Sequence, residues 1–348
     1  MKFTVEKTNI AKGVAICLMF ANHLYAFPER LIHGNYYIPF IPFWNGEFFI
    51  GNFGGVCVSI FIFLSGYGMF LGFLRSGKTS LQYCLEKVKE FYLTYWTYFL
   101  IFVPVGLIFF KEVKLWNSNV FRYAPDWLTV LLDLSGWTCH YNAEWWFVHM
   151  FILLTLFLSP LYIILSNRNP ILLCLIAISL FLAALMLKIS YSDNYSFIFW
   201  QISFAVGLLC ARSNFFSCSL FQDFENLQKR KQLALCVVAI LTCVLLRLRF
   251  GAKVDFLLIA GLTYCFVRGI ELLKLSRIFF YLGKYSFPMW LVHSFFCYYY
   301  FQDLIYYPKW SPLIFILLLG VSLLTVIVIE KTRFHLKTKL RDLSYLID

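Results

Sequence analysis

The 348-residue sequence is 61% hydrophobic and 14% charged, whereas an ordinary soluble domain is roughly 45–50% apolar and about 25% charged. Apolar stretches spread over nearly the whole chain exclude a sizeable soluble domain and leave one membrane domain as the economical reading. The net charge of +12 is scattered between apolar runs instead of forming a stripe interleaved with aromatics, which argues against nucleic acid as a partner and for charge flanking a lipid bilayer.

A spanning helix needs about 20 mainly apolar residues. In chain order ten stretches approach that length: 10–27, 48–74, 91–110, 145–165, 170–188, 195–212, 232–249, 254–270, 279–300 and 311–330. The predicted fold is therefore all-α, a single polytopic domain over 1–348 with about ten transmembrane helices. Tyr25-Ala26-Phe27-Pro28 after the first stretch offers no small-residue cleavage site, so that stretch reads as a retained span and not as a signal peptide. The eighth stretch is short and flanked by Asp255 and Arg268. The ninth contains Pro288, which a buried span tolerates when neighbours re-satisfy the freed carbonyl.

Orientation follows from Lys and Arg, which are enriched in cytoplasmic loops. With the N-terminus inside, 21 of the 30 basic residues fall on the cytoplasmic side, which predicts that both termini are cytoplasmic. Tyr36, Tyr37, Trp44, Trp116, Trp145, Trp146, Tyr298 and Trp310 sit near predicted span ends, as interfacial aromatic belts do. The cysteines form no C-x-x-C pair and no metal-ligand spacing, and Cys17, Cys57, Cys174, Cys210, Cys243 and Cys297 read as small packing residues. Cys139 has no obvious partner. The longest loop, 111–144, is predicted to be external; loops of this length without structure of their own tend to be functional, and this one carries Trp116, Asp126, Trp127, Asp133, His140 and Glu144.

Ionisable side chains within a span are costly and are functional candidates. Lys12 and His23 lie eleven residues apart, which returns to within about 20° of one helical face and separates them by roughly 16 Å along the axis. His23 reads either as a hydrogen-bonded histidine inside the bundle or as a general base taking a proton from a hydroxyl. The second stretch carries Gly54, Gly55, Gly66, Gly68 and Gly72. Such small residues allow close helix packing, or leave room for a thin ligand.

Lys12-Gly13-Val14-Ala15-Ile16 leading to His23, then Gly55-Val56 through Phe63-Leu64-Ser65-Gly66-Tyr67, resembles the opening of the acyltransferase-3 superfamily of bacterial membrane O-acyltransferases. The likeness continues in order through Lys87 and Lys89 before Phe91-Tyr92, Trp145-Trp146-Phe147 with Ser159-Pro160-Leu161, and Leu282-Gly283-Lys284-Tyr285-Ser286 with Leu291-Val292-His293. It implies a ten-helix bundle that takes acyl-CoA, most often acetyl-CoA, from the cytoplasm and acylates a hydroxyl of an extracytoplasmic glycan, with His23 at the position of the catalytic histidine. Lys12 stands where the family usually has Arg, which keeps the charge but loses bidentate phosphate recognition. Cys57 stands where many members have Asp, and the basic cluster is Lys instead of Arg.

From this come the site expectations. Lys12, Arg75, Lys87 and Lys89 would hold the CoA phosphates, or would be ordinary positive-inside charges. The pantetheine arm would rise past Ser65, Gly66 and Tyr67 toward His23. The acceptor sugar would meet Glu144, Trp145, Trp146 and, about 7 Å deeper, His149, with Glu144 orienting an imidazole; the Trp pair could equally be an interfacial belt, and His149 and His293 satisfied core histidines. No metal is expected. The expected location is the cell membrane, with lipid and a glycan or lipid-linked oligosaccharide as partners. The competing functions are a polytopic transporter or flippase, or a polymerase, for lipid-linked glycans.

Overall fold

A computed structural model describes residues 3–344 except Trp44 and Asn117, so the predicted belt residue Trp44 lies outside the described residues. The fold is all-α. Its helices are α1 (Val5–Tyr25), α2 (Gly46–Gly54), α3 (Cys57–Ser76), α4 (Ser80–Phe109), α5 (Trp127–Leu134), α6 (Trp146–Leu153), α7 (Ser159–Arg168), α8 (Pro170–Met186), α9 (Ser196–Arg212), α10 (Ser219–Glu225), α11 (Lys229–Phe250), α12 (Asp255–Leu272), α13 (Ser276–Lys284), α14 (Ser286–Ser294), α15 (Gln302–Tyr306) and α16 (Ser311–Ser344). Among the described residues no strand forms; isolated bridges tie Ile38 to Trp310 and Lys114 to Phe121.

Among the described residues five helical segments are long and apolar enough to cross a membrane: Gly46–Ser76, Ser80–Phe109, Ala143–Arg168, Lys229–Leu272 and Ser311–Leu336, with shorter apolar helices at Pro170–Met186 and Ser196–Arg212. Only 6% of the most apolar window of Lys229–Leu272 is buried inside the protein. A surface so apolar is stable against lipid and not against water. The segment turns at Gly251, whose φ of +69° suits a residue without Cβ, so that α11 and α12 fold back on each other.

Helix starts follow local chemistry. Thr4 caps α1 by accepting from the Lys7 N–H at 3.4 Å, and Thr79 with Gln82 forms a capping box that opens α4. That cap sets α4 starting at Ser80, well before the predicted 91, so Lys87 and Lys89 stand on the helix itself and not ahead of it. The predicted ninth span is three pieces, α13, α14 and a π-helical turn at Phe295–Tyr299. Pro288 lies in the first turn of α14, where a proline costs little because the first N–H groups have no intrahelical partner. The long loop carries α5, capped by Asp126 accepting from Leu128 N and Thr129 N.

The core forms where helix backbones touch. A Cβ on Gly13 would stand 2.0 Å from the Phe279 carbonyl oxygen, and one on Gly283 would stand 1.7 Å from that of Asn9. α1 therefore lies directly on α13. In the same way Gly66 meets the Phe204 carbonyl and Gly207 meets that of Phe63, locking α3 to α9.

Candidate active site

α1 ends two residues past His23, at Tyr25. The chain then turns through a short 3₁₀ segment, Pro28–Arg30, which folds Arg30 back over the helix end. The His23 side chain is 11% exposed and points into protein. Glu144 arrives from the turn ahead of α6. Its N–H donates to Asn142 Oδ1 at 3.1 Å, and Asn142 exchanges hydrogen bonds with Ser294 at 2.7 and 3.0 Å. Glu144 is thus fixed by its own backbone before its carboxylate does anything.

That carboxylate joins an imidazole to a guanidinium. Glu144 Oε2 stands 3.4 Å from His23 Nδ1, and Glu144 Oε1 accepts from Arg30 Nη1 at 2.8 Å. The guanidinium is held flat by aromatic faces, 4.0 Å from the Phe27 ring centroid, 4.2 Å from Trp116 and 5.2 Å from Tyr298. The π turn at Phe295–Tyr299 sets the register that carries Tyr298 to His23, where its hydroxyl donates to the His23 carbonyl and lies 3.4 Å from Nδ1; such turns are frequent at functional sites. A second imidazole, His293, packs with its centroid 4.7 Å from that of His23. Its Nδ1 lies 2.6 Å from the Trp290 carbonyl, so Nδ1 carries the proton, and its buried Nε2 has no hydrogen-bond partner among the described residues.

Chemically this is an imidazole with a carboxylate at Nδ1 and a cation behind the carboxylate. Such an arrangement directs the proton to Nδ1 and leaves Nε2 as the lone-pair atom, the state a base acting on a hydroxyl requires. The sequence model of a family described as an acyltransferase domain matches residues 6–331. The chain belongs to the acyltransferase-3 family. No curated protein and no solved structure matches it.

In this acyltransferase the other predicted site residues separate. Lys12 is half-buried on α1, and no acidic partner reaches it among the described residues. Gly66 is filled by the α9 backbone, Ser65 Oγ donates to the Phe61 carbonyl at 2.8 Å, and Tyr67 packs at 5.5 Å from Phe3 and 6.0 Å from Phe216. A Cβ on Gly68, by contrast, would meet nothing within 4 Å among the described residues. Arg75 and Lys89 are exposed. Lys87 donates to Glu90 at 2.7 Å, so its charge is already partnered.

Of the expected acceptor residues, only Glu144 joins His23. Trp145 is 1% exposed; its indole donates to the Leu291 carbonyl at 3.1 Å and its ring packs on Tyr95, Phe99 and Phe295. That is a core position, neither an interfacial belt nor an open face for a sugar. Trp146 is half-buried. His149 stands edge-on to Trp137 at 4.8 Å, so the imidazole beside His23 is His293.

The sequence marks Trp116 as part of a candidate functional loop and Trp116 and Tyr298 as belt aromatics, without bringing either together with Arg30 at His23. Arg30 presents itself in sequence as one more flanking charge, and only the break after Tyr25 returns it to His23. Beside Cys57, where the family often carries Asp, a buried carboxylate comes from α12 instead: Asp255 accepts from Ser59 at 2.6 Å and from Arg247 at 2.9 Å. Among the described residues no group of three His, Cys, Asp or Glu side chains is placed to hold a metal ion.

Proposed function

We propose that this acyltransferase moves an acyl group, acetyl being the expected one, from cytoplasmic acyl-CoA to a hydroxyl of an extracytoplasmic or lipid-linked glycan such as capsule or exopolysaccharide. It would do so in the cell membrane, through ten spans with both termini cytoplasmic, the orientation that the Lys and Arg distribution favours. The observation that carries the reading is the 3.4 Å approach of Glu144 Oε2 to His23 Nδ1, backed by Arg30.

In this reaction His23 Nε2 takes the proton of the acceptor hydroxyl as its oxygen attacks the thioester carbonyl. The new C–O bond forms, the C–S bond breaks, and the imidazolium returns its proton to the leaving CoA thiolate. Glu144 holds the ring and stabilises the positive charge that develops on it. Arg30 supplies the fixed counter-charge behind that carboxylate. A positioned base of this kind contributes about 10²–10⁴ in rate.

Lys12 supports the donor side. It is a half-buried cation with no anionic neighbour among the described residues, on the stripe of α1 that leads to His23, and a CoA phosphate would supply the missing charge. Arg75 and Lys89 would add to that field from the same end, whereas Lys87 would first have to leave Glu90.

The test is His23→Ala in membranes supplied with acetyl-CoA, with O-acetyl content of the surface glycan read by mass spectrometry. Loss of acetylation with normal membrane insertion is expected, and undiminished acetylation would remove His23 from the mechanism.

A further inference from the structure

On the face of α1 opposite His23 lies a second feature that acyl transfer does not use. Ala21 and Tyr25, each two residues from His23 and so about 200° around the helix, border a cavity of about 600 Å³ between α1, α11, α12 and α16. That volume is in the range of small-molecule pockets, roughly 300–1,000 Å³. Its walls are apolar, formed by residues such as Val14, Leu18, Val237, Phe266, Phe279 and Ile316. From Val14 to Tyr25 it follows about 16 Å of helix, close to half the roughly 30 Å hydrocarbon thickness of a bilayer. One of its walls is α11, whose buried residues are Gln232 and Cys236 and whose other residues are half-buried or exposed.

The cavity has one polar end. Glu47, 5% exposed, borders both this groove and a smaller chamber of about 320 Å³ formed with Pro28, Leu31, Tyr36, Tyr37 and Asn45. Its Oε1 is saturated, accepting from the Phe40 and Ile41 N–H groups and from Ser311 Oγ. Its Oε2 is buried with no partner among the described residues. A buried carboxylate oxygen left unpaired is costly, and a donor arriving there recovers that cost.

We infer that this groove binds a lipid whose hydrocarbon chain fills the apolar part and whose small uncharged head carries a free hydroxyl that donates to Glu47 Oε2: an alcohol of the diacylglycerol class. Glu47 stands between the apolar groove and the smaller chamber, so the donor must belong to a compact head within a few atoms of the ester groups. A phospholipid would bring its phosphate to that junction before any ammonium, setting one anion against another.

The experiment is native mass spectrometry of the full chain in detergent micelles, titrated with dioleoylglycerol, with its 3-acetyl ester, which has the same chains and no donor, and with phosphatidylethanolamine. Dioleoylglycerol is expected to be retained about tenfold or more over the ester, as a hydrogen bond to a charged group implies. In Glu47→Gln the amide oxygen still serves the Phe40, Ile41 and Ser311 donors while an N–H₂ group replaces Oε2, and the preference should vanish. Gly269 borders the groove and a Cβ there meets nothing within 4 Å, so Gly269→Phe should fill the space without a clash and lower retention of the diacylglycerol while leaving Glu47 untouched. Equal retention of alcohol and ester, a preference that survives Glu47→Gln, retention unchanged in Gly269→Phe, or stronger retention of phosphatidylethanolamine would each overturn the proposal. The readout is binding alone, so its failure leaves the acyl-transfer reading standing.

Discussion

His293 and His23 present their imidazoles 4.7 Å apart, centroid to centroid, and tilted by 48°, with His293 Nδ1 committed to the Trp290 carbonyl at 2.6 Å. The two rings differ in what surrounds them. His23 has a carboxylate and a tyrosine hydroxyl at hand, whereas among the described residues His293 has a single backbone acceptor and an unpaired Nε2. His293→Phe should keep the ring stack with Phe20 and lose both nitrogens. We expect a stability loss of about 1 kcal/mol from the missing hydrogen bond, measured as a shift in melting temperature in detergent, and a fall in kcat smaller than that of His23→Ala. A kcat loss equal to that of His23→Ala would make His293 a second proton-handling group.

Arg30 and Glu144 are a charge pair largely removed from water, with side chains 20% and 7% exposed. Removing one partner of such a pair costs about 3–5 kcal/mol because the other is left uncompensated, while removing both costs much less. Arg30→Met and Glu144→Leu should therefore each lower the melting temperature strongly, and the double variant should lie well above the sum of the two. Additive losses would mean that the pair is screened by solvent. Acyl transfer should fall in all three variants, since His23 loses its orienting carboxylate or the cation behind it.

The sequence made the helical class legible because ten apolar runs leave few alternatives, and it made His23 stand out because an imidazole deep in an apolar run is expensive. It could not show where α4 begins. Residues 80–90 alternate charge and apolar side chains, as in Lys87, Val88 and Lys89, so hydropathy alone stops at 91, and only the Thr79 cap marks the true start. Glu144 could be named as a partner for an imidazole, and packing makes that imidazole His23; the ring beside His23 is not His149, nearer to Glu144 in sequence, but His293, because the Gly13 and Gly283 contact brings α13 and its continuation α14 beside α1. Trp145 misled for a related reason. A Trp at a span end suits an interface, and its burial here depends on the distant Leu291 carbonyl satisfying the indole N–H.

Gly66 and Gly68 lie two residues apart in the same glycine-bearing helix and make opposite predictions. A Cβ on Gly66 would meet the Phe204 carbonyl oxygen at 2.2 Å, backbone that cannot move without parting α3 from α9. A Cβ on Gly68 meets nothing within 4 Å among the described residues. Gly66→Ala should cost at least the roughly 1–3 kcal/mol typical of overpacking and reduce the yield of folded protein. Gly68→Ala should leave the fold unharmed and gain a few tenths to about 1 kcal/mol from the more restricted unfolded chain. Thermal unfolding of the two purified variants decides between this account and one in which the small residues line a ligand channel, because a channel-lining role would let Gly66→Ala fold normally while raising KM for acyl-CoA.

Lys12 and Lys87 offer the sharpest contrast on the donor side. Lys87 already has Glu90 at 2.7 Å, on an exposed helix face where such a pair contributes at most about 0.5 kcal/mol, whereas Lys12 is half-buried with no anion beside it among the described residues. If CoA phosphates supply that anion, Lys12→Met should raise the KM for acyl-CoA about tenfold or more, the loss of one charge-assisted contact, and should leave melting temperature unchanged or higher, because an uncompensated charge is removed. Lys12→Arg should restore binding. Lys87→Met should change KM only slightly, and the double variant Lys87→Met with Lys89→Met should show whether the exposed charges add to the field that Lys12 begins. A KM unmoved by Lys12→Met would leave its burial without a ligand to explain it and would place the CoA nucleotide elsewhere on the bundle.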